Sequence, residues 1–170
     1  MKKMAKSAAF LILALFVSCA VQYNAEAADK KANENIQSYT ADLGGDGSKN
    51  IIEVEDKSAT ERAFVLTISK KNKKQIEKIE SISIFGKIRK LELVDLSNDG
   101  KKQIVLYFNG ADNLFNIAVY QMENNQLGNI FSAKSPHVIS GNFVGIPQIK
   151  IRNEAEISTW YWNGEKFVKG

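Results

Sequence analysis

Asp42-Leu43-Gly44-Gly45-Asp46-Gly47-Ser48-Lys49-Asn50-Ile51-Ile52 returns, without a gap and 53 residues further on, as Asp95-Leu96-Ser97-Asn98-Asp99-Gly100-Lys101-Lys102-Gln103-Ile104-Val105. The shared pattern is D-L-x-x-D-G-x-K-[NQ]-I-[IV]: a polar loop running into an apolar segment. Self-similarity at a fixed period is the signature of a repeat architecture, so the register of these copies decides the fold. Beyond the loops, Phe64-Val65-Leu66-Thr67-Ile68 corresponds to Phe115-Asn116-Ile117-Ala118-Val119 at an offset of 51. The duplicated unit is therefore longer than the loop.

A third, worn copy follows. Gln148-Ile149-Lys150-Ile151 echoes Gln103-Ile104-Val105-Leu106, but the loop before it, Asn142-Phe143-Val144-Gly145-Ile146-Pro147, contains no aspartate. Trp160-Tyr161-Trp162-Asn163-Gly164-Glu165-Lys166-Phe167 completes the unit as strand, turn and strand. Asn-Gly is the strongest short hairpin signal.

Period-2 alternation marks strands throughout: Phe64, Leu66 and Ile68 share one face, as do Ile149 and Ile151. The run Ile104 to Phe108 is apolar without interruption and suits a strand covered on both sides. The expected strands are 36–42, 50–55, 62–69 and 76–84; then 88–95, 103–109, 114–121 and 127–132; then 138–144, 147–153, 156–162 and 165–169. Lys71-Asn72, Asn124-Asn125 and Asn163-Gly164 are the expected links between third and fourth strands. Ile76 and Ile79, with Glu77 and Glu80, have helical spacing, so a short helix competes over 73–82.

The fold class that follows is all-β: three propeller-blade-like, four-stranded antiparallel repeats of about 50 residues, with units near 36–86, 87–135 and 136–170. Closed propellers have about four to eight blades. Three blades must stack as an open arc, curl into another closed form, or complete a ring with a second chain.

The second unit reads Phe85-Gly86, then Asp95-Leu96-Ser97-Asn98-Asp99-Gly100, then the apolar strand from Ile104. In this it resembles the FG-GAP or VCBS-type repeat of bacterial surface proteins and of the integrin alpha-chain propeller. The resemblance implies blade-like sheets and a surface role. The family loop is usually D-x-[DN]-x-D-G with a further acid at the ninth position. Here Gly44 or Ser97 holds the third place and Asn50 or Gln103 the ninth.

Calcium takes six to eight oxygens, and alternate positions of a glycine-bearing loop aim several at one centre. The candidate ligands are Asp42, Asp46 and Asn50 in the first loop, and Asp95, Ser97, Asp99 and Gln103 in the second. Two charges per loop make the expected Ca2+ site weak, in the range of extracellular modules. The alternative is that Asp-Gly only makes the turn, the first aspartate capping backbone amides. Glu53 stands twelfth, as in a helix-loop-helix calcium motif, but Ile52 and Val54 flank it with strand alternation.

The N-terminus carries a different signal. Lys2, Lys3 and Lys6 precede the apolar run Ala8 to Val21, which is shorter than the ~20 residues of a membrane-spanning helix, and Ala25-Glu26-Ala27 is a signal-peptidase site. The expectation is a signal peptide over 1–27, a linker over 28–35 and an exported, periplasmic or extracellular domain over 36–170. Phe16-Val17-Ser18-Cys19 offers a loose lipobox, so the alternative is a lipid anchor at Cys19, and membrane contact is expected only in that case.

Of 23 basic and 19 acidic residues, Lys2, Lys3, Lys6 and Glu26 belong to the leader, which leaves 20 against 18 and a net charge of +2. A nucleic-acid footprint needs a strong clustered basic field, so that class is set aside. His137 is the only histidine and Cys19 the only cysteine, and no motif assembles a zinc site or a triad around His137. Ser135-Pro136-His137 reads as a loop between units. Lys70, Lys71, Lys73 and Lys74 read as a solvated hairpin tip, with an anionic surface as the livelier reading. Alternation puts Trp160 and Trp162 on one face and Tyr161 on the other. The functional expectation is a non-enzymatic binding or interaction module of the cell envelope, with a protein or polysaccharide partner. A small envelope enzyme or enzyme inhibitor is the rival.

Overall fold

The computed structural model describes residues 35–72 and 75–170; the leader, the linker up to Glu34, and Lys73 and Lys74 lie outside the described residues. The rest forms twelve strands in three four-stranded antiparallel sheets, with no helix among the described residues. The first sheet is β1 (Ile36–Ala41), β2 (Asn50–Asp56), β3 (Ala63–Asn72) and β4 (Gln75–Phe85). The second is β5 (Lys87–Val94), β6 (Gln103–Asn109), β7 (Phe115–Glu123) and β8 (Gln126–Ser135). The third is β9 (Val138–Asn142), β10 (Gln148–Asn153), β11 (Glu156–Trp162) and β12 (Phe167–Lys169). Each is a meander in which every strand pairs with its predecessor.

The helical alternative over 73–82 gives way to β4, and a β-bulge explains the misleading spacing. Ile68 pairs with Glu80 and Ser69 with Lys78, so Ile79 is the extra residue. Inserting one residue stretches a period of two to three, which puts Glu77 and Glu80 on one side of the strand at a helix-like step. The same irregularity recurs in β8, where Val119 pairs with Phe131 and Tyr120 with Asn129, leaving Ile130 extra. Ile79 and Ile130 are 51 apart, the offset of the flanking strands, so the bulge belongs to the duplicated unit.

Several boundaries shift by one to three residues, and two of the shifts have a local reason. β3 continues through Lys71 and Asn72, which pair with Ile76 and Gln75, so the two residues expected to form the link are part of the strand. β12 begins only at Phe167 because the Asn163 Oδ1 accepts the N–H groups of Glu165 (3.0 Å) and Lys166 (2.9 Å), holding them in the turn. The Asn124-Asn125 link is as expected, with φ of 49° and 61°, the mirror-image turn that suits strand twist and that asparagine tolerates.

The sheets stack face to face. Ile52, Val54, Phe64, Leu66 and Ile68 of the first pack on Leu91, Ile104 and Leu106 of the second. The opposite face of the second, with Val105, Ile117 and Val119, packs on Ile149, Ile151 and Phe167 of the third. The middle sheet is therefore covered on both faces, and Ile104, Val105 and Leu106 are each 0% exposed. Burial of each such side chain stabilises by about 1.5–3 kcal/mol, which is why this strand has no polar alternation. Trp160 and Trp162 turn inward together and Phe131 meets Trp160 edge-on at 5.4 Å, while Tyr161 faces out.

Gly86 joins the first sheet to the second at a φ of 133°, and a Cβ there would lie 2.2 Å from the Asn109 carbonyl oxygen. Only glycine fits this crossing. Phe85 beside it is 71% exposed, so the aromatic of the Phe85-Gly86 pair contributes nothing to the core.

Candidate functional site

The loops β1–β2, β5–β6 and β9–β10 are equivalent connections of stacked sheets and form a row along one edge. Gly47, Gly100 and Gly145, at φ of 80°, 89° and 74°, each stand three residues before Asn50, Gln103 and Gln148. The third loop has lost the aspartates and kept this left-handed turn.

Within the first loop the Asp42 Oδ1 accepts the N–H of Gly45 and its Oδ2 that of Gly47, both at 2.7 Å. Within the second, the Asp95 Oδ1 accepts from Asp99 at 3.1 Å and its Oδ2 from Gly100 at 2.8 Å. The second aspartate of each loop caps the next turn: Asp46 Oδ1 accepts the N–H of Ser48 and Asp99 Oδ1 that of Lys101, both at 2.9 Å. Backbone donors neutralise these carboxylates as an Asx turn does.

Asp46 has two further partners, the Ser48 hydroxyl and the Lys70 ammonium at 3.3 Å. The Ser48 bonds, foremost the hydroxyl, and then Lys70 bring its carboxyl down to about 2. Lys70 thus leaves the expected lysine tip; of the described lysines there, Lys71 remains exposed.

Asn50 and Gln103 point away from solvent. The Asn50 Oδ1 accepts the Leu43 N–H at 3.2 Å, and the Gln103 Oε1 accepts the Leu96 N–H at 2.9 Å. Both are buried, at 6% and 1% exposure, and clamp the loop's entry strand to its exit strand. Ser97 Oγ accepts the indole N–H of Trp162 at 3.3 Å, a tie from the third sheet to the second loop. The first two loops are joined by the Lys102 N–H, which donates to the Asp42 carbonyl at 2.8 Å.

Of the expected calcium donors, each loop therefore presents two carboxylates that already accept N–H bonds, and its ninth residue is turned into the core. Among the described residues no three His, Cys, Asp or Glu side chains gather as a metal cluster. Such a donor set fits only a weak calcium site.

Two places escaped the sequence reading. Between the second and third sheets, Glu92 pairs with Lys90 through Oε1 while its Oε2 is buried without a hydrogen-bond partner. Burial first, then the nearby Glu92 charge, push the Tyr107 hydroxyl well above its ordinary range. No period or motif distinguishes such a residue from any strand glutamate. An open depression is lined by Phe115, Pro136, His137, Val138, Arg152 and Glu154, at the link between the second and third sheets where the loop around His137 was expected.

In the third loop, where the aspartates are missing, Val144 and Ile146 are 67% and 70% exposed. The row thus runs from two polar, self-capped loops to one apolar tip. Compared with known proteins, the chain matches no family model and no curated relative.

Proposed function

We propose that this chain is an exported, non-enzymatic binding module of the cell envelope, built as FG-GAP or VCBS-like blades, with the loop row as its contact surface. The observation that carries the reading is the apolar tip, Val144 and Ile146, displayed beside two rigid loops. A scaffold of stacked sheets holds its loops in place, and exposed apolar side chains on a held loop are what a partner surface desolvates. Partners of this kind are envelope proteins or polysaccharides. Calcium, held weakly by the paired aspartates, serves as a stiffener of the row.

The test is cosedimentation of the purified protein with isolated cell-envelope fractions, comparing wild type with the double variant V144D/I146D. Retention of the wild type and its loss in the variant, at unchanged circular dichroism, supports the proposal. Equal retention of both, or none of either, overturns it. Turnover of an envelope polymer in the same mixtures would instead favour the small-enzyme reading.

A further inference from the structure

The three sheets use their faces in a fixed sense. In the interior contacts, the odd-numbered side of β2, β6 and β10 and its even-numbered side have reversed meanings from sheet to sheet, and the repeat alignment resolves them. Ile51, Glu53 and Glu55 are equivalent to Ile104, Leu106 and Phe108 of β6 and to Ile149, Ile151 and Asn153 of β10. In the second and third sheets this side meets the preceding sheet. Gln148, Lys150 and Arg152 are likewise equivalent to Gln103, Val105 and Tyr107, the side that meets the following sheet. Among the described residues, no further sheet lies on the preceding-sheet face of the first sheet or on the following-sheet face of the third.

The equivalent strands β2 and β10 carry opposite charge on these faces, with Lys71 and Lys78 lying toward one end of the first. On the first, Glu53 lies between Ser38 and Thr67, and Glu55 between Ile36 and Val65. Glu55 pairs with Lys57 at 3.6 Å. On the third, Lys150 lies between Ser140 and Thr159, and Arg152 between Val138 and Ile157. Val138, Ile157 and Tyr161 of that face are 55%, 62% and 40% exposed. A polar outer face alone is what a solvated terminal repeat needs. Opposite charges at matching positions, with apolar side chains around the basic pair, go beyond that need.

We propose that a second copy of this chain seats the Lys150/Arg152 face of its third sheet on the Glu53/Glu55 face of the first sheet. The contact is head-to-tail, and such contacts close into rings or continue as fibres according to the rotation per chain. Two copies make six sheets, within the range of about four to eight at which propellers close, so the assembly is a two-chain ring with two identical junctions. This inference goes beyond the loop-row reading and does not rest on it.

The experiment is the mass of the purified protein in solution, by light scattering across micromolar to millimolar concentrations, for wild type, E53K/E55K and K150E/R152E. In each variant both junctions set like charges face to face, whereas a mixed pair has opposite charges at both. The expected masses are two chains for wild type, one for each variant alone, and two for their equimolar mixture. Circular dichroism and the thermal midpoint confirm that each variant is folded. A single-chain wild type, a variant that stays dimeric alone, a mixture of folded variants that stays single-chain, or an unbounded series of larger species overturns the proposal.

Discussion

Gln103 accepts the N–H of Leu96 through its amide oxygen at 2.9 Å, and one repeat earlier Asn50 makes the same bond to Leu43 at 3.2 Å. Removing the oxygen strands a buried donor, which costs about 1–3 kcal/mol. Q103L is expected to lower the thermal midpoint by about 3–10 °C, and N50L, with the longer bond, by less. Thermal unfolding of the two variants checks the order.

Gly86 and Gly164 separate steric clash from backbone strain. Both have left-handed φ, 133° and 103°, but a Cβ at Gly164 meets nothing within 4 Å, whereas at Gly86 it strikes the Asn109 carbonyl. G164A is expected to cost about 1 kcal/mol and G86A about 3 kcal/mol or more. Denaturant unfolding measures both, and equal losses would contradict the close crossing of the first and second sheets.

Asp46 supplies a pH dependence whose sign is determined. Its carboxyl is lowered from 3.8 to about 2, so the folded loop favours the charged form. That contribution is fully present above the ordinary carboxylate range and is lost as pH falls through about 2. Carbon-detected titration of Asp46 should give a midpoint near 2. S48A should raise that midpoint more than K70M does, because the hydroxyl bond it removes is the foremost cause of the lowering. Salt should weaken only the Lys70 part.

The effect expected of calcium under the proposed reading is bounded. At about ten times its dissociation constant, a ligand adds about 1.4 kcal/mol, a rise of a few degrees for a domain of this size. Thermal unfolding in millimolar calcium against chelator should show that small rise, with none in magnesium and none in D46N/D99N. Coincident curves would leave the aspartates as turn formers alone.

Much of the fold was legible because period-2 alternation survives in all three units and the loop register repeats without a gap. β4 was ambiguous for a physical reason: the bulge at Ile79 breaks the alternation where a helix would be recognised. The β3–β4 turn was misplaced because Lys70 to Lys74 contains no glycine or proline to punctuate it. The aspartate loops were found by their repetition. Their internal wiring was not, since a first-position aspartate bonded to amides and one facing an ion have the same sequence context. Lys70 on Asp46 and Trp162 on Ser97 are set by strand pairing and sheet stacking, which motif spacing does not encode.

The middle sheet, covered on both faces, has a consequence for how the molecule comes apart. Its β6 is paired with β5 and β7 and covered on one face by each neighbouring sheet, so loss of either sheet is expected to bare one side of it. Amide exchange at Ile104, Val105 and Leu106 should report the full unfolding free energy, with the third sheet's outer strand exchanging first. For a molecule assembled from copies of one motif, the expectation is all-or-none behaviour: a nick in the last unit would uncover one face of the second.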